Sequence, residues 1–171
     1  MAPVEAPAAQ AVNVPLPMAA HFIVLNITPG DEAEDTVKAF FGNTAALIRS
    51  VERRIPEEQL SMVVGIGSPA WDRLFGAPRP AGLHEFQPLR GDKHFAPSTP
   101  GDLLYHVRAP SMDLIVEFEK TLLDAFGDAA VAVDEVAGFR YFDARDLLGF
   151  VDGTANPDGL SLPAATLVGE L

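Results

Sequence analysis

Short apolar runs alternate with stretches of helical periodicity along this chain, and their order restricts the possible folds more than any other feature. The apolar runs cover residues 20–27, 60–66, 103–108 and 131–136, with a further apolar segment at 139–142. Runs of this length that are rich in β-branched and aromatic residues are typical of buried strands. The sequence therefore predicts a small sheet whose strands are linked by helices and loops.

Two amphipathic helices are predicted between the strands. Over residues 31–54, apolar side chains recur at helical spacing, acidic residues stand at the front and basic residues at the back, so the charges complement the helix dipole. The second helix is expected to begin after Ser111 as its N-cap and to end at Gly127. Ser68 followed by Pro69 predicts the N-cap and first position of a third, shorter helix.

The resulting order is strand, helix, strand, long loop, strand, helix, strand. This βαββαβ order predicts an α+β fold, a ferredoxin-like sandwich with an antiparallel sheet and helices on one face. We expect an extended tail rich in proline and alanine at residues 1–18, a ferredoxin-like domain at 19–148, and a Pro- and Gly-rich loop at 76–101. Because this fold hosts many unrelated functions, the function must be inferred from a site.

Composition excludes several classes of function. The 171 residues carry a formal net charge of −12, which argues against nucleic-acid partners and against docking on anionic membranes. The absence of cysteine excludes disulfides, thiolate metal sites and thiol nucleophiles, and it fits the cytoplasm. No apolar stretch reaches the roughly 18 residues of a membrane span. The proline-interrupted segment 1–18 lacks the basic start of a secretory signal.

Two motif matches are incomplete. Gly65 and Gly67 lie between a predicted strand and a predicted helix, but Ala70 occupies the place of the third glycine in a dinucleotide fingerprint. Thr154 begins a partial calcium-loop pattern, but Ala165 stands where the pattern requires a bidentate glutamate. We therefore interpret the first segment as a tight turn and predict no calcium site in the second.

Histidine and aromatic residues give no metal or relay motif by themselves. The four histidines, His21, His84, His94 and His106, lack the spacing of metal ligands, so no metal ligand is predicted among them. Trp71, Tyr105 and Tyr141 could relay single electrons, although packing is the more common role for such side chains.

One carboxylate stands out in residues 146–157, which read DLLGFVDGTANP. An apolar approach leads to Asp152, which lies close to Gly149 and Gly153, residues that permit unusual backbone angles. A carboxylate among apolar side chains can have its pKa shifted toward the working pH, as a general acid or base requires. The common alternative is a plain Asp-Gly turn, and the residues alone favour that alternative.

Residues 149–154, GFVDGT, resemble the GxxDG signature of the dye-decolourising (DyP-type) haem peroxidases, specifically the bacterial class B branch. Two further segments resemble the same family in the same order, namely residues 96–106 (APSTPGDLLYH) and 134–142 (DEVAGFRYF). The resemblance covers essentially the whole chain.

The resemblance implies two ferredoxin-like domains with haem b between them, and an enzyme that uses hydrogen peroxide to oxidise dyes, phenols or similar small one-electron donors. It implies that Asp152 is the distal acid/base, moving a proton from one peroxide oxygen to the other. It also implies that the backbone of Gly153, Thr154 and Ala155 passes close to the haem.

The family pattern places the axial histidine and the distal arginine in a second half. We therefore expect the present chain to be the N-terminal half, with residues 149–171 forming the distal haem-pocket loop and the start of a connection to a C-terminal domain. Such a fragment is expected to be inactive alone, because the axial ligand sets the redox behaviour of haem.

The resemblance also implies homo-oligomers and, for full-length members, packing as cargo inside encapsulin shells. The alternative function is a non-catalytic ferredoxin-like binding or assembly module, in which Asp152 is an ordinary turn residue.

Overall fold

A four-stranded antiparallel sheet with two long helices on one face forms the centre of the computed structural model, which describes residues 10–55, 59–151, 153 and 155–166. The strands are β1 (Ala19–Ile27), β2 (Ser61–Ile66), β3 (Leu89–Arg90), β4 (Phe95–Ala96), β5 (Leu103–Ala109) and β6 (Ala130–Phe139). The helices are α1 (Asp31–Glu52), α2 (Ser68–Leu74), α3 (Met112–Phe126) and α4 (Leu162–Thr166). The sheet order β2-β5-β1-β6 confirms the predicted ferredoxin-like α+β fold.

Side-chain alternation along the two central strands determines where the core lies. On β5, Leu103, Tyr105 and Val107 are buried beneath the helices, and Ile23 on β1 lies directly opposite Tyr105 in the ladder. The intervening side chains point to the opposite face of the sheet, because successive residues of a strand alternate. We call this opposite side, which includes Phe22 and His106, the second face.

The two long helices bury one stripe each against the sheet. On α3 the buried side chains recur at helical spacing, as predicted: Leu114, Ile115, Phe118, Leu122 and Phe126. Ser111 occupies the N-cap position, and Gly127 ends the helix at a φ of 51°, a conformation that favours glycine. None of the helices formed by the described residues has the length and apolar character needed to cross a bilayer.

The predicted cap of the short helix α2 is wrong by one residue. Gly67 is the N-cap, and Ser68 is the first helical residue. The Ser68 hydroxyl accepts a hydrogen bond from Arg79 instead of capping the helix. A Cβ on Gly67 would lie 2.5 Å from the carbonyl oxygen of Gly101, so the tight turn here depends on glycine.

The last strand differs from its prediction. Residues 131–136 and 139–142 are predicted as strand, whereas β6 covers Ala130–Phe139, so it includes residues 137–138 and excludes 140–142. The reason is its partner: β1 pairs with β6 along its whole length, ending with Ala19 opposite Phe139. Beyond Phe139 no residue of β1 remains to pair, and the chain forms a 3-10 turn over Phe142–Ala144.

The long loop predicted at 76–101 contains a small hairpin. Strands β3 and β4 pair with each other, and the guanidinium of Arg90 lies 4.2 Å from the ring centre of Phe95. Two-residue strands produce no periodic signal in a sequence, which is why the hairpin was not predicted.

Residues 10–18, which we call the N-terminal strap, contain no helix or strand and contact the edge of the sheet. The side-chain amide of Gln10 binds the backbone of Val64 on β2 twice, donating to its carbonyl oxygen at 3.0 Å and accepting from its N–H at 2.7 Å. Arg108 on β5 donates to the carbonyl oxygens of Ala11 and Val12. At the other end of the strap, the carbonyl oxygen of Met18 accepts from the N–H of Arg140 at 3.0 Å. The strap therefore connects the edge strand β2 to the end of β6.

A largely buried hydrogen bond between two side chains joins α3 to the central strand. Nδ1 of His21 lies 2.8 Å from Oε1 of Glu119, and the two side chains are only 13% and 11% exposed. Burial raises the pKa of the Glu119 carboxyl, His21 opposes that shift, and the nearby charge of Glu135 adds to it. Because its pKa is raised in the folded state, the stability that protonated Glu119 contributes is lost as the pH rises through that pKa.

Replacing Gln10 with alanine is expected to free both backbone groups of Val64 at the edge of β2. We expect a loss of about 1 kcal/mol of local protection, or roughly fivefold faster amide exchange at Val64. Hydrogen exchange followed by NMR measures this. Asn13→Ala, which removes a strap contact to Thr166 instead, serves as the control and should leave exchange at Val64 unchanged.

Replacing His21 with leucine is expected to destabilise the chain by about 2 kcal/mol at neutral pH, because the Glu119 carboxylate stays buried without its partner. The deficit should shrink at about pH 4, where Glu119 is protonated. Urea unfolding measures both values. The double variant His21→Leu/Glu119→Leu should regain most of the loss. A double variant as unstable as the single one would show that the pair is not responsible.

Candidate functional site

The candidate site begins where β6 leaves the sheet and continues through residues 140–151 toward Asp152. The chain first turns sharply, with Asp143 and Ala144 at φ values of 56° and 52°. Non-glycine residues rarely adopt this left-handed conformation, which tends to occur where the surrounding structure imposes a specific turn.

Residues 145–151 then form a closed loop, which we call the Asp146 loop. Its ends meet where Arg145 pairs with Val151 as an isolated antiparallel bridge. Inside the loop, Oδ1 of Asp146 accepts hydrogen bonds from the N–H groups of Leu148 and Phe150, both at 2.9 Å. The backbone adds two bonds, Gly149 N–H to the Asp146 carbonyl and Asp146 N–H to the Phe150 carbonyl, both at 3.0 Å.

The guanidinium of Arg145 holds the loop from outside. Its Nη1 donates to the carbonyl oxygen of Gly149 at 2.9 Å, and its Nε donates to Oδ2 of Asp143 at 3.1 Å. Gly149 has a φ of 94°, a backbone conformation that favours glycine, which explains why glycine stands at this position. Two charged side chains therefore determine the shape of a loop that is otherwise apolar.

The apolar side chains of the Asp146 loop project away from the domain. Leu147, Leu148 and Phe150 are 73%, 83% and 69% exposed, and Val151 is half-exposed. Clustered apolar side chains at a surface mark a site of contact with a ligand or another protein surface. The loop thus presents an apolar surface immediately before Asp152.

Two of the predicted site residues, Asp152 and Thr154, lie outside the described residues. Gly153 and Ala155 are described, and both are exposed. Gly153 has a φ of 77°, and a Cβ there would lie 3.3 Å from Nδ2 of Asn156, so this turn also favours glycine. Its carbonyl oxygen accepts a hydrogen bond from the N–H of Asn156 at 3.2 Å.

A groove of about 410 Å³ lies beside the Asp146 loop, between the second face of the sheet and the N-terminal strap. Its floor is a stacked pair, Phe22 and His106, whose ring centres are 4.2 Å apart. Arg108, Arg140 and Arg145 line it together. This concentration of positive charge contrasts with the chain's net charge of −12.

His106, one of the side chains that line the groove, has a shifted pKa. Burial, with a further contribution from Arg108, lowers the pKa of His106, so its imidazole is neutral at neutral pH. The Nε atom of Arg108 is buried without a hydrogen-bond partner. His21, by contrast, is paired with Glu119, and Nδ1 of His84 contacts the carbonyl oxygen of Glu85.

The aromatic side chains considered as electron relays occupy different environments. Tyr105 is fully buried in the core, its hydroxyl has no hydrogen-bond partner, and burial raises its pKa. Trp71 packs 4.9 Å from the ring of Phe75. Tyr141 is 44% exposed and lines the groove.

The exposed apolar side chains of the Asp146 loop and the arginines of the neighbouring groove suit a mainly apolar ligand with anionic substituents. Among the described residues, no three His, Asp or Glu side chains are arranged to hold a metal ion.

Sequence reasoning singled out Asp152 and its neighbouring glycines, which remains a prediction, and it missed the surrounding frame. Arg145 and Asp146 were not singled out, nor was the convergence of Arg108 and Arg140 on one groove. The only available signal was that His106 and Arg108 are in phase on one strand, which places them on the same face.

Comparisons with known proteins identify the family of this chain. Residues 9–140 match the family model described as the N-terminal part of Dyp-type peroxidases. The chain is 58% identical over 140 residues to a dye-decolorizing peroxidase of Brevibacterium linens, covering 82% of this chain and 38% of that protein. It is 50% identical over 167 residues to one from Mycobacterium tuberculosis, covering 98% and 49% respectively.

Solved structures show the same relationship. A variant of DypB from Rhodococcus jostii in complex with heme superimposes with a TM-score of 0.90 at 45% identity, over 95% of this chain and 53% of that one. The encapsulated DyP-type peroxidase from Mycobacterium smegmatis gives a TM-score of 0.85 at 50% identity, over 91% and 50%. The present chain therefore spans about half the length of these relatives. It belongs to the dye-decolourising, or DyP-type, peroxidase family, and it contains the family's N-terminal ferredoxin-like domain.

Proposed function

We propose that this chain forms the distal side of a haem site in a peroxidase that uses hydrogen peroxide to oxidise dyes, phenols or similar one-electron donors. The observation that carries the proposal is the Asp146 loop, which presents exposed apolar side chains directly before Asp152 in a chain of the DyP family. A haem-bound DypB among the structural relatives supports haem as the cofactor.

Haem, when bound, supplies the redox chemistry that reduces peroxide and accepts electrons from the donor. In the proposed mechanism, Asp152 accepts a proton from one oxygen of hydrogen peroxide and returns it to the other, which leaves as water when the O–O bond breaks. Two one-electron donors and two protons then reduce the remaining oxygen atom to a second water. Positioned proton transfer of this kind supplies about 10²–10⁴-fold in rate.

The residues around Asp152 have supporting roles in this proposal. By resemblance to the family, the backbone of Gly153, Thr154 and Ala155 would lie close to the haem, and the φ of 77° at Gly153 favours glycine in this turn. The apolar side chains of the Asp146 loop would contact the ring and exclude water. Exclusion of water strengthens the electrostatic effect of a single carboxylate.

The division of the chain follows from the same proposal. Residues 1–18 form an N-terminal tail, 19–148 form the ferredoxin-like domain, and 149–171 form the distal loop and the start of a connection to a second domain. We propose that the axial ligand and a distal arginine come from that second domain, and that the 171 residues alone are not competent. The chain spans only about half the length of each relative, which supports a second domain in the complete protein.

Assembly and location are proposed by analogy with relatives. The M. smegmatis relative is an encapsulated peroxidase, and we propose that the complete protein is a cytoplasmic homo-oligomer that can be encapsulin cargo.

Titration of hemin into the purified chain tests the cofactor assignment. Alone, the 171 residues are expected to bind hemin weakly and to bleach little dye with peroxide, because the axial ligand is absent. The complete protein should show a sharp Soret band and peroxide-dependent bleaching. Robust turnover by the 171 residues would disprove the claim that they are not competent, and a complete protein without haem binding would favour the binding-module alternative.

In the complete protein, Asp152→Asn is expected to slow the reaction with hydrogen peroxide by about 10²-fold or more, because the amide cannot accept the proton. Stopped-flow absorbance in the Soret region measures this rate. Asp124→Asn, which changes an exposed carboxylate on α3, is the matched control and should react at the unaltered rate. Equal rates for the two variants would remove Asp152 from the mechanism.

A further inference from the structure

The Asp146 loop keeps an ordered shape although its apolar side chains contribute little packing to this domain. Leu148 is 83% exposed and Phe150 is 69% exposed, so burial within the domain cannot hold the segment in place. The hydrogen bonds made by two charged residues are therefore the interactions that define its path.

Asp146 fixes the inner side of the loop. A single carboxylate oxygen accepts both the Leu148 and the Phe150 N–H groups, and the backbone N–H of Asp146 donates to the carbonyl oxygen of Phe150. These three hydrogen bonds therefore hold Leu148 and Phe150, which precede Asp152 by four and two positions. Hydrogen bonds to a charged acceptor are stronger than neutral ones.

Arg145 fixes the outer side. Its guanidinium links the carbonyl oxygen of Gly149 to the carboxylate of Asp143, and its backbone pairs with Val151. Val151 is the residue directly before Asp152, so the bridge fixes the backbone inside the GxxDG run up to the position before its aspartate.

We propose that Arg145 and Asp146 are positioning residues for Asp152: they hold the backbone up to Val151, the residue that directly precedes Asp152. This inference rests on the proposed role of Asp152. Neither residue is required to touch the haem or the substrate. Their effect is on geometry, and proton transfer depends steeply on geometry, since a displacement of about 1 Å can cost 10²-fold in rate.

The test uses the complete, haem-loaded protein and four variants: Asp146→Ala, Asp146→Asn, Arg145→Ala and Asp152→Asn. Asp146→Ala removes the acceptor of two hydrogen bonds, whereas Asp146→Asn keeps an oxygen at the same place. We expect Asp146→Ala and Arg145→Ala to slow the reaction with peroxide by about tenfold or more, and Asp146→Asn to stay within about twofold of the unaltered protein.

Cyanide affinity provides a readout that does not depend on turnover. Hydrogen cyanide must lose its proton to bind haem, so a misplaced distal base should weaken binding. Soret titration of cyanide should show a rise in Kd for Asp146→Ala by about the same factor as for the peroxide rate. Haem content and the unfolding midpoint, measured in parallel, identify a variant that has simply lost its fold, and Arg145→Ala then provides the independent test.

A double-mutant cycle separates positioning from an independent role. If Asp146 acts through Asp152, then adding Asp146→Ala to Asp152→Asn should cause no further loss of rate. Losses that multiply, or an Asp146→Ala protein that reacts at the unaltered rate, would overturn the inference while leaving the proposed function intact. An Asp152→Asn protein at the unaltered rate would instead overturn the proposed function itself.

Discussion

The pairing of the central strand β1 on both sides is the interaction on which the rest of the structure depends. Its backbone joins β5 on one side and β6 on the other, and Ile23, Leu25 and Ile27 form the buried layer beneath the helices. The length of β1 also decides where β6 must stop. Because β1 begins at Ala19, the chain leaves the sheet after Phe139, and the candidate site starts at that point.

The site is built differently from the core. The core is held by apolar side chains that are almost completely buried, such as Tyr105 and Phe118. The Asp146 loop has the opposite arrangement, with apolar side chains outside and charged side chains holding the backbone. A loop of this kind has an apolar surface available for a ligand without giving up a defined shape. This arrangement is compatible with the haem-facing role proposed from the family.

Much of the fold could be predicted because it follows from local patterns. The apolar run at residues 103–108 and the helical stripe around Phe118 are visible in the sequence, and the strand and helix that they predict were both confirmed. Features that depend on a distant partner could not be predicted. Ser68 is predicted as a helix cap, but its hydroxyl accepts a hydrogen bond from Arg79 instead. The end of β6 depends on where its partner β1 begins. Arg145 and Asp146 were missed for a different reason, since most of their partners are nearby backbone groups that carry no sequence signal.

The contact between Gln10 and β2 has a consequence for the handling of this protein. An outermost strand with unpaired backbone groups is a template on which a second chain can add, and such addition leads to aggregation. The Gln10 amide occupies both groups of Val64 as a neighbouring strand would. Removal of the N-terminal strap, so that the chain begins at Ala19, would therefore expose these backbone groups and favour aggregation.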